Sequence, residues 1–467
     1  MNRNAAIRLI ILMMGSFFGV YHTVSLNVTL PAFAVIFHAE LASVQWLVTG
    51  FALATGIIAP ISGYLGERFS YRAVFLLCVA GITVTSILCS LSWSIESFIV
   101  FRVLQGLFCG LIQPVSLTLL YRWVPAANHA KVLSWWSAST VAATAVAPTL
   151  SGALQNMHWS LMFGVTVPPG IIILAAALWL TSPEEGRKGR LDRMGLTLTS
   201  FGSLSLLLLA GNLHRWGWFS PQALLLLAAG ITLLAAYAKR ALRVAEPLLE
   251  LRLFRIRAFT VSVVLTVMLM IGLYAGTYFM PLYLQEIQGL TAMEIGLLFL
   301  PGALCLIVST LLSGVWLERI GTSRLIVIGV GWMALSTIAL ALLKPDTPLL
   351  YILIGMCLRN VGIGLTFTPI MNIGMQAVPA SLRGHASALI HWLRQVVCAI
   401  GLGLLSSFFV GRLVLLLEQG KGPYAILTYA DQAVYTDTVN IIMWITVGLM
   451  AAVLPAVLLL RSKQASH

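Results

Sequence analysis

Charged side chains are scarce in this chain. Only 9% of its 467 residues are Asp, Glu, Lys or Arg, against 59% hydrophobic residues and a mean hydropathy of +0.96; soluble domains carry roughly 25% charged residues. That shortage excludes an ordinary soluble protein. The 15 acidic residues all fall in or beside the breaks between apolar runs, so no run holds a deep carboxylate of the kind that would pair with a cationic ligand. The six cysteines, Cys78, Cys89, Cys109, Cys305, Cys357 and Cys398, lie inside apolar runs without metal-ligand spacing. They read as small core residues and exclude a disulfide framework or thiolate metal site. No Gly-Lys-Ser/Thr phosphate loop occurs, which argues against ATP as the driving force. No nucleophile–base or metal arrangement points to an enzyme, and no cofactor is expected.

What the chain has instead is a succession of apolar runs of about 20 residues, each long enough to cross a ~30 Å hydrocarbon layer as a helix. We place about fourteen spans, near 8–30, 44–65, 73–92, 97–121, 132–156, 160–181, 194–212, 221–239, 258–284, 292–315, 323–343, 348–372, 385–411 and 438–460. Arg3 and Arg8 precede the first, which is too long for a signal-peptide core and is expected to be retained. With the N-terminus inside, about 21 Lys and Arg fall on the cytoplasmic side and about four outside, namely Arg215, Lys344, Arg412 and Lys421. The positive-inside rule then puts both termini in the cytoplasm. The net charge of +13 is therefore a topology signal, and no nucleic-acid partner is expected. The fold class is an all-α polytopic membrane protein. Its expected divisions are an N-terminal six-helix bundle (1–183), two inserted spans with basic linkers (184–257) and a C-terminal six-helix bundle (258–467).

The break Gly63-Tyr-Leu-Gly-Glu-Arg-Phe-Ser-Tyr-Arg72 returns about 251 residues later as Gly314-Val-Trp-Leu-Glu-Arg-Ile-Gly-Thr-Ser-Arg324. Such a pair in two hydrophobic halves suggests an internal duplication. Gly63, Glu67, Arg68 and Arg72, with Gly314, Glu318 and Arg319, are candidates for cytoplasmic loops whose charge clusters set the balance between two states. His22, Ser25 and Thr29 fall at i, i+3 and i+7 of the first span, a polar stripe on one face. Arg102, Gln105, Gln113 and Ser116 share a face of the fourth, where Gly106 and Gly110 permit a close neighbour. The 239–257 stretch alternates in character and suggests a surface-lying amphipathic connector.

The Gly63–Arg72 stretch resembles the loop signature of the major facilitator superfamily, Gly-x-Leu-x-Asp-Arg-x-Gly-Arg-Arg. Further stretches are similar to its fourteen-helix drug:proton antiporter branch: Asn27-Val-Thr-Leu-Pro31, Gln45-Trp46, Arg102-x-x-Gln-Gly106, Trp159 with Phe163 and Pro168, Glu246-Pro-Leu, Tyr283-Leu-Gln-Glu286 and Arg394-Gln395. The resemblance covers essentially the whole chain. It implies two six-helix bundles around a two-helix insert, proton-driven export of lipophilic small molecules by alternating access, and an inner (cytoplasmic) membrane location. It also implies that Arg102 is the proton-coupling arginine with Gln105 beside it, that Asn27 lies at the substrate path, and that Pro148 and Gly152 stand in the antiporter signature. The chain departs from the pattern in five places. His22 stands where members have Asp, Glu67 where the loop has Asp, Ser70 where it has Gly, and Thr166 where members have Asn. The antiporter signature is degraded to Ala147-Pro148-x-x-Ser151-Gly152.

A charge at membrane depth is costly and is a functional candidate by default. Arg102 lies roughly 7–8 Å and His22 roughly 12 Å from the outer span ends at 1.5 Å per residue. Imidazole titrates near ~6.5, so His22 is a proton carrier, a hydrogen-bonding pocket residue or a packing residue. Arg102 either couples protons or holds helices through their carbonyls. Arg394, with His391 one turn away, either binds an anionic or polar group or pairs with carbonyls. Tyr274 and Tyr278 line an aromatic stripe that suits either a flat lipophilic ligand or core packing. Candidate substrate contacts are thus His22, Ser25, Asn27, Gln113, Tyr274, Tyr278, His391 and Arg394. The leading function is a proton-coupled exporter of neutral or anionic lipophilic compounds, with protons, the bilayer and a periplasmic adaptor as candidate partners. A metabolite or anion facilitator and a non-transporting membrane sensor are the alternatives.

Overall fold

The computed structural model describes residues 3–26, 29–180, 191–416 and 429–461. Asn27, residues 181–190 at the start of the expected insert, and residues 417–428, which include Lys421, lie outside them. Every regular element among the described residues is helical: α1 (Arg3–Val24), α2 (Leu30–Ile36), α3 (Leu41–Ile58), α4 (Ser62–Phe69), α5 (Tyr71–Ser90), α6 (Ile95–Trp123), α7 (His129–Met157), α8 (Leu161–Gly164), α9 (Val167–Leu180), α10 (Arg193–Trp216), α11 (Pro221–Ala241), α12 (Arg257–Glu286), α13 (Ala292–Ile320), α14 (Thr322–Leu340), α15 (Leu349–Gln376), α16 (Arg383–Leu416) and α17 (Tyr429–Arg461), with four short 3₁₀ turns. Among the described residues, thirteen segments are long and apolar enough to cross a membrane. The fifth expected span, α7, is 29 residues long but is not among the thirteen, because its many Ser and Thr dilute its apolar character.

By their internal contacts the helices divide into two compact units. The first comprises Met1–Ser205, Ala228–Ile256 and Met375–Gln395; the second comprises Leu206–Leu227, Arg257–Gly374 and Val396–His467. In the first, α6 packs on α3, α5 and α1, and α1 also packs on α7. The expected close approach occurs here. A Cβ on Gly106 or Gly110 would come within 2.7 Å of the Phe51 or Thr55 carbonyl of α3, so the two backbones nearly touch, as small residues allow inside a bilayer. In the second, α17 packs on α12 and α14. A core of Leu265, Leu269, Val330, Met333 and Met450 fills the space.

Four sequence expectations change. The first span ends at Val24 and a separate helix begins at Leu30, with Pro31 in its first turn, where its missing N–H costs nothing. His22, Ser25 and Thr29 are therefore not one helical stripe, although all three are buried. The two charged islands are not loops: Gly63, Glu67 and Arg68 lie on α4, Gly314, Glu318 and Arg319 lie on α13, and the chain turns only at Ser70 and Gly321. The 239–257 connector does not lie wholly on the surface. Leu248, Leu249 and Leu253 are buried, and the Tyr237 hydroxyl donates to the Leu249 carbonyl and accepts from its N–H, leaving a 3₁₀ turn at Leu251–Arg255. Finally, Cys305 and Cys357 are half-buried, while the other four cysteines are buried.

Candidate functional site

The fully buried Arg102 of α6 is the centre of a polar knot inside the first unit. Its Nε donates to the Leu47 carbonyl at 3.3 Å, one terminal nitrogen to Gln105 Oε1 at 2.7 Å, and the other to the His22 carbonyl at 3.0 Å. The guanidinium lies 4.1 Å from the Phe51 ring centre and 5.8 Å from that of Phe163, aromatic faces that favour a cation. Arg102 thus ties α1, α3 and α6 together through backbone carbonyls. No carboxylate pairs with it among the described residues.

The knot continues through Ser86 of α5. Gln105 Nε2 donates to Ser86 Oγ at 3.0 Å, His22 Nε2 lies 3.2 Å from the same oxygen, and the Thr166 hydroxyl lies 3.2 Å from it. Thr166 sits in the break between α8 and α9, where Pro168 and Pro169 prevent a continuous helix, and donates to the Phe163 carbonyl at 2.7 Å. With Gln105 donating to it, Ser86 has one hydrogen to give, to His22 or to Thr166. Two hydrogen-bond arrangements therefore fit the same heavy atoms, differing in which His22 nitrogen carries the proton. His22 Nδ1 has no partner among the described residues, and its ring stacks at 6° to Phe163.

The sequence-nominated residues fall into separate groups. His22, Gln105 and Arg102 are brought together. Ser25 is buried beside them in sequence, with its hydroxyl unpartnered among the described residues. Gln113 is already used, donating to the Ser16 carbonyl at 2.9 Å. His391 and Arg394 pair with each other on α16 at 3.1 Å. In the second unit, Tyr274 and Tyr278 of α12 are 39% and 43% exposed, so they are not core packing. Pro148 and Gly152 both lie on α7, and Gly152 has open space around it.

Glu67 on α4 lies 3.4 Å from His385 on the first turn of α16. The Tyr71 hydroxyl donates to the Gly63 carbonyl at 3.3 Å, and Arg72 to the Leu178 carbonyl at the same distance. Arg68, Glu318 and Arg319 are exposed. Two contributors carry no signal in the sequence. Ser86 looks like any membrane-helix hydroxyl, and His385 stands at a helix start with no motif around it. The second unit also holds a fully buried arginine, Arg359 of α15, which donates to the Gly272 carbonyl of α12.

Comparison with known proteins adds sequence and fold likeness. A family profile described as Major Facilitator Superfamily matches residues 9–402. The chain is 33% identical over 390 residues to the tetracenomycin C resistance and export protein of Streptomyces glaucescens, covering 82% of this chain and 72% of that one. It is 31% identical over 412 residues to the uncharacterized MFS-type transporter YhcA of Bacillus subtilis, covering 88% and 77%. It is 27% identical over 413 residues to the multidrug export protein EmrB of Escherichia coli, covering 86% and 80%. Among solved structures, the human organic anion transporter MFSD10 superposes with a TM-score of 0.66 at 12% identity, covering 96% of this chain and 100% of that one.

Proposed function

The chain belongs to the major facilitator superfamily, and from that premise we propose that it is an exporter of lipophilic small molecules in a bacterial inner membrane, driven by exchange for protons through alternating access. Transport is the family's property, and the tetracenomycin and EmrB relatives are named as exporters. The observation that carries the proton reading is the buried Arg102–Gln105–Ser86–His22 chain. It puts a titratable imidazole one hydroxyl away from the side chain that Arg102 orients. Ser86 can exchange its hydrogen between His22 and Thr166 without moving a heavy atom, which suits a proton relay that is switched by small shifts of α1 or α9. The Glu67–His385 contact supports a gate between states, with the Gly63–Arg72 end facing the cytoplasm. A periplasmic adaptor is a further partner consistent with this reading.

A second reading follows from Arg102 itself. Every one of its nitrogens is engaged, so it could serve only to hold helices, in a facilitator without proton coupling. Substrate-evoked proton movement in everted vesicles under an imposed ΔpH separates the two. Proton release on adding compound that disappears in Arg102→Ala and His22→Gln supports antiport. Accumulation unaffected by collapsing ΔpH sinks antiport and leaves the facilitator.

A further inference from the structure

Two of the six cysteines differ from the rest. Cys78, Cys89, Cys109 and Cys398 are buried, whereas Cys305 of α13 and Cys357 of α15 are half-buried. Both belong to the second compact unit, and the Cys357 thiol is within hydrogen-bond reach of the Cys305 thiol.

The backbone explains why they meet. A Cβ on Gly302 would lie 3.9 Å from the Cys357 backbone nitrogen, and a Cβ on Gly364 would lie 2.9 Å from the Leu306 carbonyl oxygen and 2.8 Å from the Thr310 backbone nitrogen. Passing from Gly302 to Leu306 and Thr310 on α13 thus matches passing from Cys357 to Gly364 on α15. The two helices run side by side in the same direction, and the absent side chains of glycine let them close up. Cys305 falls between the two points of approach. A disulfide requires Cβ atoms within about 3.5–4.5 Å, so it can join two helices only where their backbones come this near. The thiols also lie deep, roughly 18 Å and 12 Å along the spans Met293–Ile320 and Leu349–Gln376 at 1.5 Å per residue. Glutathione and thioredoxin keep aqueous thiols reduced but do not enter hydrocarbon, whereas an organic hydroperoxide dissolves in it.

We infer that Cys305 and Cys357 form a redox-modification site, closed to a disulfide by a membrane-soluble organic hydroperoxide. One thiol sulfur attacks the terminal peroxide oxygen. The O–O bond breaks, the thiol proton passes to the departing alkoxide, and a sulfenic acid and an alcohol result. The second thiol sulfur then attacks the sulfenic sulfur. The S–S bond forms, the S–O bond breaks, and the hydroxide leaves with the second thiol proton as water. Two thiols are oxidised by two electrons in all, and the peroxide is reduced by the same two. The product tethers α13 to α15, so that neither helix can slide past the other. The inference stands on the second unit alone and is independent of the direction and coupling of transport.

The test treats the full-length protein in lipid nanodiscs with cumene hydroperoxide, quenches with N-ethylmaleimide, and reads the digested peptides by mass spectrometry. Wild type is expected to yield a Cys305–Cys357 cross-linked peptide that dithiothreitol releases after denaturation. Cys305→Ser and Cys357→Ser are each expected to lose it. The same molecule carries its own control. Cys78 and Cys109 are near enough to interact but are only 0% and 4% exposed. Oxidation follows exposure, so the 305–357 cross-link is expected to exceed any 78–109 cross-link at least about tenfold. This comparison is made within wild type and so does not depend on the variants folding. Recovery of Cys305 and Cys357 as free thiols, or as separate sulfinic or sulfonic acids, overturns the inference. So does a 78–109 cross-link that forms as readily, because half-burial would then not select the pair.

Discussion

Arg102 and His22 meet through the backbone: the guanidinium donates to the His22 carbonyl at 3.0 Å, and the imidazole turns instead to Ser86. The structural and chemical parts of the knot are therefore separable. His22→Gln keeps the carbonyl that Arg102 holds and offers Ser86 an amide in place of a ring nitrogen. Folding is expected to change by no more than about 1 kcal/mol, the typical net value of one hydrogen bond. If His22 carries the proton, substrate-evoked proton release is lost while detergent thermal unfolding stays near that of wild type. Proton release that survives His22→Gln would assign the relay elsewhere.

The two buried arginines predict opposite responses to the same substitution. Arg102 has a partner for each nitrogen, whereas Arg359 donates to Gly272 and leaves Nε and a terminal nitrogen unpartnered among the described residues. Arg102→Met strands buried acceptors at about 1–3 kcal/mol each. Arg359→Met removes a poorly compensated charge, an exchange that is neutral or stabilising by about 1–4 kcal/mol in buried ion sites. Thermal unfolding of both variants in nanodiscs is expected to show the first falling and the second unchanged or rising.

Ser70 and Gly321 occupy equivalent turns, 251 residues apart in the repeat, with φ of 76° and 83°. Such a conformation is close to glycine-only and costs a side chain of order 1–3 kcal/mol. The first half bears that strain at Ser70, whose hydroxyl caps α5 by accepting from the Ala73 N–H at 3.2 Å. Exchanging a Ser cap for Gly loses only a few tenths of a kcal/mol. Ser70→Gly is therefore expected to stabilise the protein by about 1 kcal/mol and Gly321→Ser to destabilise it by a similar amount, both read by chemical or thermal unfolding.

These residues also mark how far the sequence can be read. The helical class was legible, and so was the burial of Arg102, Gln105 and His22, because lipid demands helices and penalises any charge at depth. The strain at Ser70 could be seen only as a departure from a pattern until its φ was known. Ser86 was not legible, since a hydroxyl in a membrane helix ordinarily bonds its own backbone, as Thr83 and Thr85 do one turn back. Nothing local distinguishes the one that faces a histidine. His385 escaped for a related reason. Its partner is more than 300 positions away in sequence, and only the fold brings α16 to α4. The helix ends at Val24 and at the islands were misplaced because apolar periodicity says where a helix can lie and little about where a proline or a left-handed turn stops it.

The seat of α16 on α4 and α5 rests more on shape than on charge. Glu67 and His385 are 3.4 Å apart, but the Glu67 side chain is 35% exposed, and partly exposed pairs contribute about 0–1 kcal/mol. Tyr71, by contrast, occupies the space that a Cβ on Gly384 would need, its hydroxyl lying 1.6 Å from that point. Glu67→Gln is expected to shift the balance between open and closed forms less than about fivefold, the population equivalent of 1 kcal/mol. Gly384→Val must displace Tyr71 and with it the Tyr71–Gly63 hydrogen bond, so it is expected to shift the balance about tenfold or more, as steric overpacking of 1–3 kcal/mol implies. A single cysteine at buried Ser62, in a chain otherwise free of cysteine, reports the change as its maleimide labelling rate. Labelling that rises more for Glu67→Gln than for Gly384→Val would make the contact electrostatic; the reverse order is what the packing of Tyr71 requires.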